Sequence, residues 1–466
     1  MTVIKFGTDG WRAIIADTFT NDNVARVAHA TALWLKKNYS APRAVVGYDC
    51  RFGGQMFAEV TAKILCENGI KVFLSDDFVS TPMISYAAKQ LQAGMGVIIT
   101  ASHNPPSYNG YKLKSDVGGP SSPAVIAEVE NLIPDKAAIP DKSLQDYSAA
   151  GLLSIINMED MYYSHVEHSF DLLSIRNSGL RIAYDAMYGA GQRILPRILP
   201  DATLLHCDYN PSFKGQAPEP IHKNLTEFSN LIAQSGNFDI GLATDGDADR
   251  IGLYDSKGNF VDSHHIILLL VHYLHKYKGL SGKVVNAFSV TGRVKIMCEK
   301  YNLPYQVTGI GFKYICEIMT KENVIVGGEE SGGIATTGHV PERDGIWMGL
   351  LIIEFMAKTG KTLEQLIQEV YDVVGAFAYN RDDMHLTEAQ KQEILANCKA
   401  DKYRAFGPYK VQSIETIDGF KYHLPNHNWL MIRASGTEPL LRVYAEGADA
   451  QEANDILAAA RATLLG

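Results

Sequence analysis

Three times along this chain, short apolar, β-branched runs alternate with longer stretches of helical pattern, and each block closes on a strand that enters a polar loop. The first block reads A-V-V-G-Y-D, K-V-F-L-S-D and G-V-I-I-T, the last running into Ser102. The second reads R-I-A-Y-D, A-T-L-L-H and D-I-G-L-A-T, ending in D-G-D-A-D-R. The third reads K-V-V-N-A-F, Y-Q-V-T-G and V-I-V-G-G, ending in E-E-S-G-G. Strands alternating with helices predict mainly parallel sheets covered on both faces. Ligands of such open sheets gather at the carboxyl ends of strands, where all three polar loops fall.

After about Gly375 the pattern changes. Helical stretches (L-T-E-A-Q-K-Q-E-I-L-A-N and A-D-A-Q-E-A-N-D-I-L-A-A-A-R) enclose short strands such as W-L-M-I-R and L-R-V-Y-A-E. The expected architecture is three similar α/β domains with mixed, mainly parallel sheets plus a smaller C-terminal α+β domain, around a central cleft. Domain limits are expected at 1–148, 149–258, 259–375 and 376–466. A chain of 466 residues is long enough for this division.

Charge and cysteine usage narrow the partners. The formal net charge is −9 and the basic residues are scattered, which argues against nucleic acid as the main partner. A local positive pocket for a small phosphorylated ligand remains compatible with that balance. Cys50, Cys66, Cys207, Cys298, Cys316 and Cys398 form no C-x-x-C, so neither a zinc site nor a disulfide framework is expected. The start, M-T-V-I-K-F-G-T-D-G, has no signal-peptide pattern, and the I-I-L-L-L-V run is too short for a bilayer. A cytoplasmic protein with reduced thiols is the expectation.

The densest chemical signal is D-G-D-A-D-R, with Asp245, Asp247, Asp249 and Arg250. Read as an extended segment, it places three carboxylates on one side. Like charges that close call for a cation, and oxygen-only ligands suit Mg²⁺. An EF-hand is excluded, because Arg250 and Ser256 stand where Gly and Glu are needed. Three carboxylates leave such an ion short of ligands, and a phosphoserine at Ser102 would supply one. Nothing around Ser102 forms G-x-S-x-G. His103 and Lys112 are nearby candidates for proton carriers or charge partners. Taken alone, the T-A-S-H-N-P-P loop leaves open whether Ser102 is chemistry or only a hydroxyl that closes a turn.

Two weaker loops follow. Glu329 and Ser331, between glycines, suit adjacent sugar hydroxyls, and Arg343 adds a cation downstream. In R-A-S-G-T-E-P, Arg433, the Ser435 and Thr437 hydroxyls and backbone N–H groups around Gly436 make a small anion cradle. Two apparent nucleotide motifs fail. T-G-K-T (359–362) has Phe355 where Walker A needs Gly, and T-G-I-G-F-K-Y has Tyr314 in place of the third glycine.

Together and in this order, these loops resemble the α-D-phosphohexomutase superfamily, which includes phosphoglucomutase and phosphomannomutase. The resemblance spans nearly the whole chain: F-G-T-D-G-W-R, G-Y-D-C-R, T-A-S-H-N-P, N-G-Y-K, D-G-D-A-D-R, G-F-K-Y, G-G-E-E-S-G-G and R-A-S-G-T-E-P. It implies that Ser102 is phosphorylated, and that Asp245, Asp247 and Asp249 hold Mg²⁺ with the phosphoserine as a further ligand. Arg12, Lys112 and Arg250 would stabilise the transferring group or assist proton transfer, with His103 beside the serine. Gly311, Lys313, Glu329, Ser331 and Arg343 would line the sugar path. Arg433, Ser435, Gly436 and Thr437 would hold the non-reacting phosphate. The implied reaction interconverts hexose 1-phosphate and hexose 6-phosphate through a hexose 1,6-bisphosphate. No nucleic acid or membrane partner is implied, and the protein is expected as a monomer or homodimer.

The sequence departs from the dual-specificity pattern in one place. Those members often carry His two residues after the sugar-loop serine, where this chain has Gly333. The E-E-S form leans toward glucose, while the N-acetylglucosamine branch usually has Gln before the serine. The expectation is therefore a phosphoglucomutase. The alternatives are a phosphomannomutase or dual-specificity enzyme, a silent sugar-phosphate-binding protein, or a metal-dependent phosphatase.

Overall fold

The computed structural model describes residues 3–7, 9–434 and 440–466. The chain forms two compact units. One comprises Met1–Val284 with Gly311–Leu366, the other Val285–Ile310 with Ile367–Gly466.

The first unit begins with a six-stranded mixed sheet. Its order is Trp11–Ile14, Tyr108–Ser115, Met95–Ile99, Arg43–Tyr48, Lys71–Ser75, Leu153–Ile156. Arg43–Tyr48 runs parallel to both Met95–Ile99 and Lys71–Ser75, and Lys71–Ser75 runs parallel to Leu153–Ile156. Every residue of Met95–Ile99 is buried, as a centre strand covered on both faces requires. One covering helix is Asn21–Asn38, capped by Thr20, whose hydroxyl accepts from Asn23 N–H. Val24, Val27, Ala28, Thr31 and Leu35 recur at helical spacing on its buried face.

Two antiparallel strands extend that sheet at one edge. Tyr108–Ser115 pairs with Met95–Ile99, and Trp11–Ile14 pairs with Tyr108–Ser115. The turn between Met95–Ile99 and Tyr108–Ser115 carries Ser102. In Tyr108–Ser115, Lys112 and Lys114 are two residues apart, so they share a face, and both are fully buried.

A five-stranded sheet follows in the order Phe260–Val261, Ile251–Tyr254, Ile240–Thr244, Ile182–Asp185, Thr203–Leu205. Ile240–Thr244 and Ile251–Tyr254 form an antiparallel hairpin in which Thr244 faces Ile251. The acidic motif is the loop of that hairpin. The extended geometry expected from its sequence is not what forms. Ala248 has φ 57°, its N–H donates to Asp245 O at 3.0 Å, and the segment turns back on itself. The N–H groups of Asp249 and Arg250 both donate to Asp245 Oδ1, at 2.9 and 3.0 Å. The carboxylates converge because the loop curls, not because residues alternate.

The sugar-loop candidate is also a hairpin loop. Val324–Gly328 pairs antiparallel with Ile334–Thr336, and Gly328 faces Ile334 across it. The helix Gly345–Thr359 then passes through the unit's interior, apolar on nearly every side. Its N-cap Asp344 accepts from Trp347 N–H at 2.9 Å. A Cβ on Gly345 would lie 2.3 Å from Arg250 O, so only glycine lets this helix begin against the acidic hairpin.

The second unit contains an antiparallel five-stranded sheet in the order Ala378–His385, Leu440–Gly447, Trp429–Ala434, Phe420–His423, Ser413–Glu415. Its core draws Leu430, Ile432, Leu441 and Val443 from the sheet and Ile456 and Leu457 from the helix Ala450–Leu465.

Candidate active site

Ser102 is 1% exposed and sits at φ 51°. That left-handed conformation is uncommon for a residue with a Cβ and is strained by roughly 1–3 kcal/mol, a cost typically met at functional sites. Its N–H donates to Thr100 Oγ1 at 2.9 Å, and its Oγ donates to Asp245 Oδ2 at 2.7 Å. His103 Nδ1 lies 3.4 Å from the same Oγ. Gly246 explains the close approach of the two loops: a Cβ there would stand 2.5 Å from Ser102 O.

Ligand atoms of Asp245, Asp247 and Asp249 lie within 4.8 Å of one another, and all three residues are fully buried. Two of the carboxylates are held by one oxygen each. Asp247 Oδ2 accepts from Lys112 Nζ at 2.7 Å and from Thr81 Oγ1 at 2.5 Å. Asp249 Oδ2 meets Lys112 Nζ at 3.2 Å and Arg343 Nη2 at 2.7 Å. The other oxygens, Asp247 Oδ1 and Asp249 Oδ1, are buried without a hydrogen-bond partner. A buried carboxylate oxygen without a donor is costly, and a hard cation with oxygen ligands relieves that cost. The donor set fits Mg²⁺. Burial and the neighbouring Asp247 and Asp249 push Asp245 well above the usual carboxylate range, the proximity effect a cation would relieve.

Cations frame the acidic loop. Lys112 Nζ also contacts Asp9 Oδ2 at 2.9 Å, and Arg343 Nη2 reaches the same oxygen at 2.5 Å. Lys114 pairs with Glu342 at 2.6 Å. Burial opposes the Lys112 charge, but Asp247, Asp249 and Asp9 outweigh it and hold the ammonium above the usual lysine range. Burial likewise opposes the charge on Asp9, and Lys112, Lys114 and Arg343 hold it well below the carboxylate range. Lys112 is thus a fixed positive charge. His103 is kept neutral, first by burial and then by Arg250, Arg12 and Lys112.

Arg12 Nη1 donates to Asn104 Oδ1 at 2.7 Å, and Arg250 Nη1 stands 3.5 Å from Glu219 Oε1. Glu329 Oε1 accepts from Gly311 N–H at 2.9 Å. Burial raises the Glu329 carboxyl to about 7, with Arg343 and Arg250 working against the rise. The sugar-loop hairpin meets the acidic hairpin directly, as Ile251 N–H donates to Gly332 O at 3.1 Å. Lys313 and Asp9 line a shared cavity of about 210 Å³ with Gly10, Ser121 and Glu130.

One unit therefore brings together Arg12, Ser102, His103, Lys112, Asp245, Asp247, Asp249, Arg250, Gly311, Glu329 and Arg343. Lys313 borders the cluster, and Ser331 sits in the loop whose Gly332 it touches. Arg433 belongs to the second unit, where its Nε donates to Asp418 Oδ1 at 3.0 Å. Ser435, Gly436 and Thr437 lie outside the described residues. Sequence reasoning passed over Asp9, Thr81, Lys114 and Glu342. Asp9 lies within the F-G-T-D-G-W-R motif, which was the available signal for it, whereas the burial of Lys114 and Glu342 depends on contacts far apart in the chain.

Models of the four phosphoglucomutase/phosphomannomutase domains match in order: α/β/α domain I over 3–139, domain II over 160–258, domain III over 262–374 and the C-terminal domain over 385–463. A phosphoglucosamine mutase of Carboxydothermus hydrogenoformans is 30% identical over 460 residues, 97% of each chain. A phosphoglucomutase/phosphomannomutase of Thermococcus kodakarensis is 28% identical over 457 residues, 97% of this chain and 96% of the other. Among solved structures, a candidate phosphomannomutase from Thermus thermophilus superposes with TM-score 0.88 at 31% identity, covering all of both chains. An Aspergillus fumigatus N-acetylphosphoglucosamine mutase, solved with GlcNAc-6P and magnesium, shares the fold at TM-score 0.62 and 18% identity, covering 99% of this chain and 96% of that one.

The chain belongs to the α-D-phosphohexomutase superfamily. It is a mutase, an isomerase enzyme with three α/β/α domains and a C-terminal domain. No helix among the described residues is long and apolar enough to cross a membrane.

Proposed function

We propose that this chain is a phosphoglucomutase in which Ser102 carries the phosphoryl group between the two ends of the sugar. The observation that supports this most is the 2.7 Å contact of the Ser102 hydroxyl with Asp245, inside a buried carboxylate triad that has two oxygens to spare. Asp245, Asp247 and Asp249 would hold Mg²⁺, with the phosphoserine at Ser102 as a further ligand. Bound there, the ion supplies Lewis-acid neutralisation of phosphoryl charge.

The chain's own residues do the rest. In the forward direction the P–Oγ bond of phospho-Ser102 breaks and a bond forms to the O6 of glucose 1-phosphate. The O6 proton is given up as Oγ recovers one. The resulting 1,6-bisphosphate turns over, its 1-phosphoryl group returns to Ser102, and glucose 6-phosphate leaves. Phosphoryl transfer needs alignment and charge neutralisation more than a strong base. Arg12, Lys112 and Arg250 supply fixed positive charge, and the ion pairs of Lys112 keep its ammonium in place. Glu329, beside Ser331, accepts from sugar hydroxyls when ionised. Arg433, with Ser435, Gly436 and Thr437, would hold the phosphate that is not reacting.

The form of the sugar loop supports glucose, and Gly333 stands where dual-specificity relatives often have His. A second reading is favoured by the names of relatives: several of about 30% identity are phosphoglucosamine mutases, which points to glucosamine phosphates. Initial rates on glucose 1-phosphate, mannose 1-phosphate and glucosamine 1-phosphate, with Mg²⁺ and trace bisphosphate, decide between them. Faster turnover of glucosamine 1-phosphate would replace the glucose assignment. Normal turnover by Ser102→Ala would overturn the phosphoserine route itself.

A further inference from the structure

The G-Y-D-C-R motif at 47–51 has no place in the reaction described above, yet two of its side chains fasten the serine loop. Arg51 is 1% exposed. Its Nη2 donates to Ser102 O at 2.5 Å and to Asn104 O at 2.6 Å. Its Nη1 donates to Pro105 O and to Tyr108 O, both at 2.9 Å. All four N–H bonds of the guanidinium fork thus end on main-chain carbonyls of one turn. Nε faces Asp49 Oδ2 at 3.4 Å, and Phe213 covers the guanidinium at 5.0 Å.

Asp49 completes the arrangement from the other side of the serine. Its Oδ1 accepts from Arg51 N–H at 2.9 Å, and its Oδ2 accepts from Thr100 Oγ1 at 2.5 Å. With its proton committed to Asp49, Thr100 Oγ1 presents a lone pair to Ser102 N–H at 2.9 Å. Both peptide groups that flank the Ser102 Cα are therefore held, the N–H through Thr100 and the C=O by Arg51.

We propose that Arg51, with Asp49 and Thr100, is a positioning group for phosphoryl transfer that locks Ser102 in the left-handed conformation from which Oγ faces the acidic loop. Arg51 contacts main-chain oxygens and Asp49, and acts through the serine it orients. Released from φ 51°, a serine relaxes toward the ordinary negative φ region near about −60°, which swings Oγ by more than about 1 Å. A displacement of that size costs on the order of 100-fold in rate. Lysine cannot replace the fork, because an ammonium has three tetrahedral donors and no planar pair of forks to span four carbonyls.

The inference rests on Ser102 as the phosphoryl carrier, and the test separates the two. Full-length wild type, Arg51→Gln, Arg51→Lys and Thr100→Val are mixed with glucose 1,6-bisphosphate and Mg²⁺, and Ser102 phosphorylation is followed by quenched-flow intact mass. The expected result is a loss of about 100-fold in that rate for Arg51→Gln, partial recovery at most for Arg51→Lys, and about 10-fold loss for Thr100→Val. KM for the hexose phosphate should stay within about twofold of wild type, because the substrate contacts are intact. Wild type whose Ser102 carries no phosphoryl group either before or after mixing overturns the carrier role of Ser102, not the clamp alone. Phosphorylation at the wild-type rate in folded Arg51→Gln overturns the clamp, as does a loss carried wholly by KM. If Arg51→Gln does not fold, the near-isosteric Thr100→Val decides, and an unchanged rate there overturns the proposal.

Discussion

Replacing Glu329 by Gln separates what this carboxyl costs the fold from what it does for the sugar. Glu329 is 6% exposed, and burial raises it from 4.5 to about 7. At 1.36 kcal/mol per pH unit, the folded state holds that proton more tightly than the unfolded chain by roughly 3 kcal/mol. Because the folded value is the higher one, ionisation opposes folding. The penalty is absent well below pH 4.5, grows between pH 4.5 and 7, and is complete above 7. Glutamine keeps an oxygen for the Gly311 N–H and carries no charge. The variant should therefore be more stable than wild type by up to ~3 kcal/mol at pH 8 and by only ~1 kcal/mol at pH 5. These are upper limits, since the new amide N–H₂ wants partners of its own. Urea unfolding of both proteins in Mg²⁺-free buffer at the two pH values measures the difference, using the first transition. Turnover at pH 8 should fall meanwhile, because the ionised acceptor for sugar hydroxyls is gone. A stability gain that is missing at pH 8, or the same at both pH values, would refute the reasoning.

Three further outcomes follow from the geometry. Lys112→Met leaves Asp9, Asp247 and Asp249 short of their shared cation; it should destabilise the metal-free protein by about 3–5 kcal/mol, and by less in saturating Mg²⁺, as urea midpoints will show. Gly246→Ala drives a methyl group to within 2.5 Å of Ser102 O, and a steady-state assay should find kcat lowered at least ~10-fold with substrate KM little changed. Mg²⁺ at about 100 times its Kd should stabilise wild type by about 2.7 kcal/mol, and calorimetric titration of Asp249→Asn should show weaker binding, since one of the two unpartnered oxygens in the triad becomes part of an amide.

Much of the fold was legible because its parallel strands are short and β-branched. Each of the nine apolar runs singled out in the three blocks coincides with a strand. Tyr108–Ser115 was not legible, since Y-N-G-Y-K-L-K-S looks like a polar loop. It is a strand because Lys112 and Lys114 find Asp247, Asp249, Asp9 and Glu342, partners 100 to more than 200 residues away that no local window contains. The acidic triad showed as clustered charge, but its curled shape depends on Ala248 at φ 57°, and alanine gives no hint of a left-handed turn. The loop alone left Ser102 ambiguous, and only its place among the other motifs marked it as a candidate phosphoserine. What makes it a site, the carboxylate at 2.7 Å, comes from residue 245.

The acidic hairpin is tied into its neighbours through main-chain bonds on both sides. Thr81 N–H donates to Asp247 O at 3.0 Å, Gly345 N–H donates to Ala248 O at 3.0 Å, and Ile251 N–H meets Gly332 O at 3.1 Å. These seams join segments of domains I, II and III. Because every one of these seams runs main chain to main chain, a relative's domain exchanged here would have to reproduce the path of its loop rather than the identity of its residues.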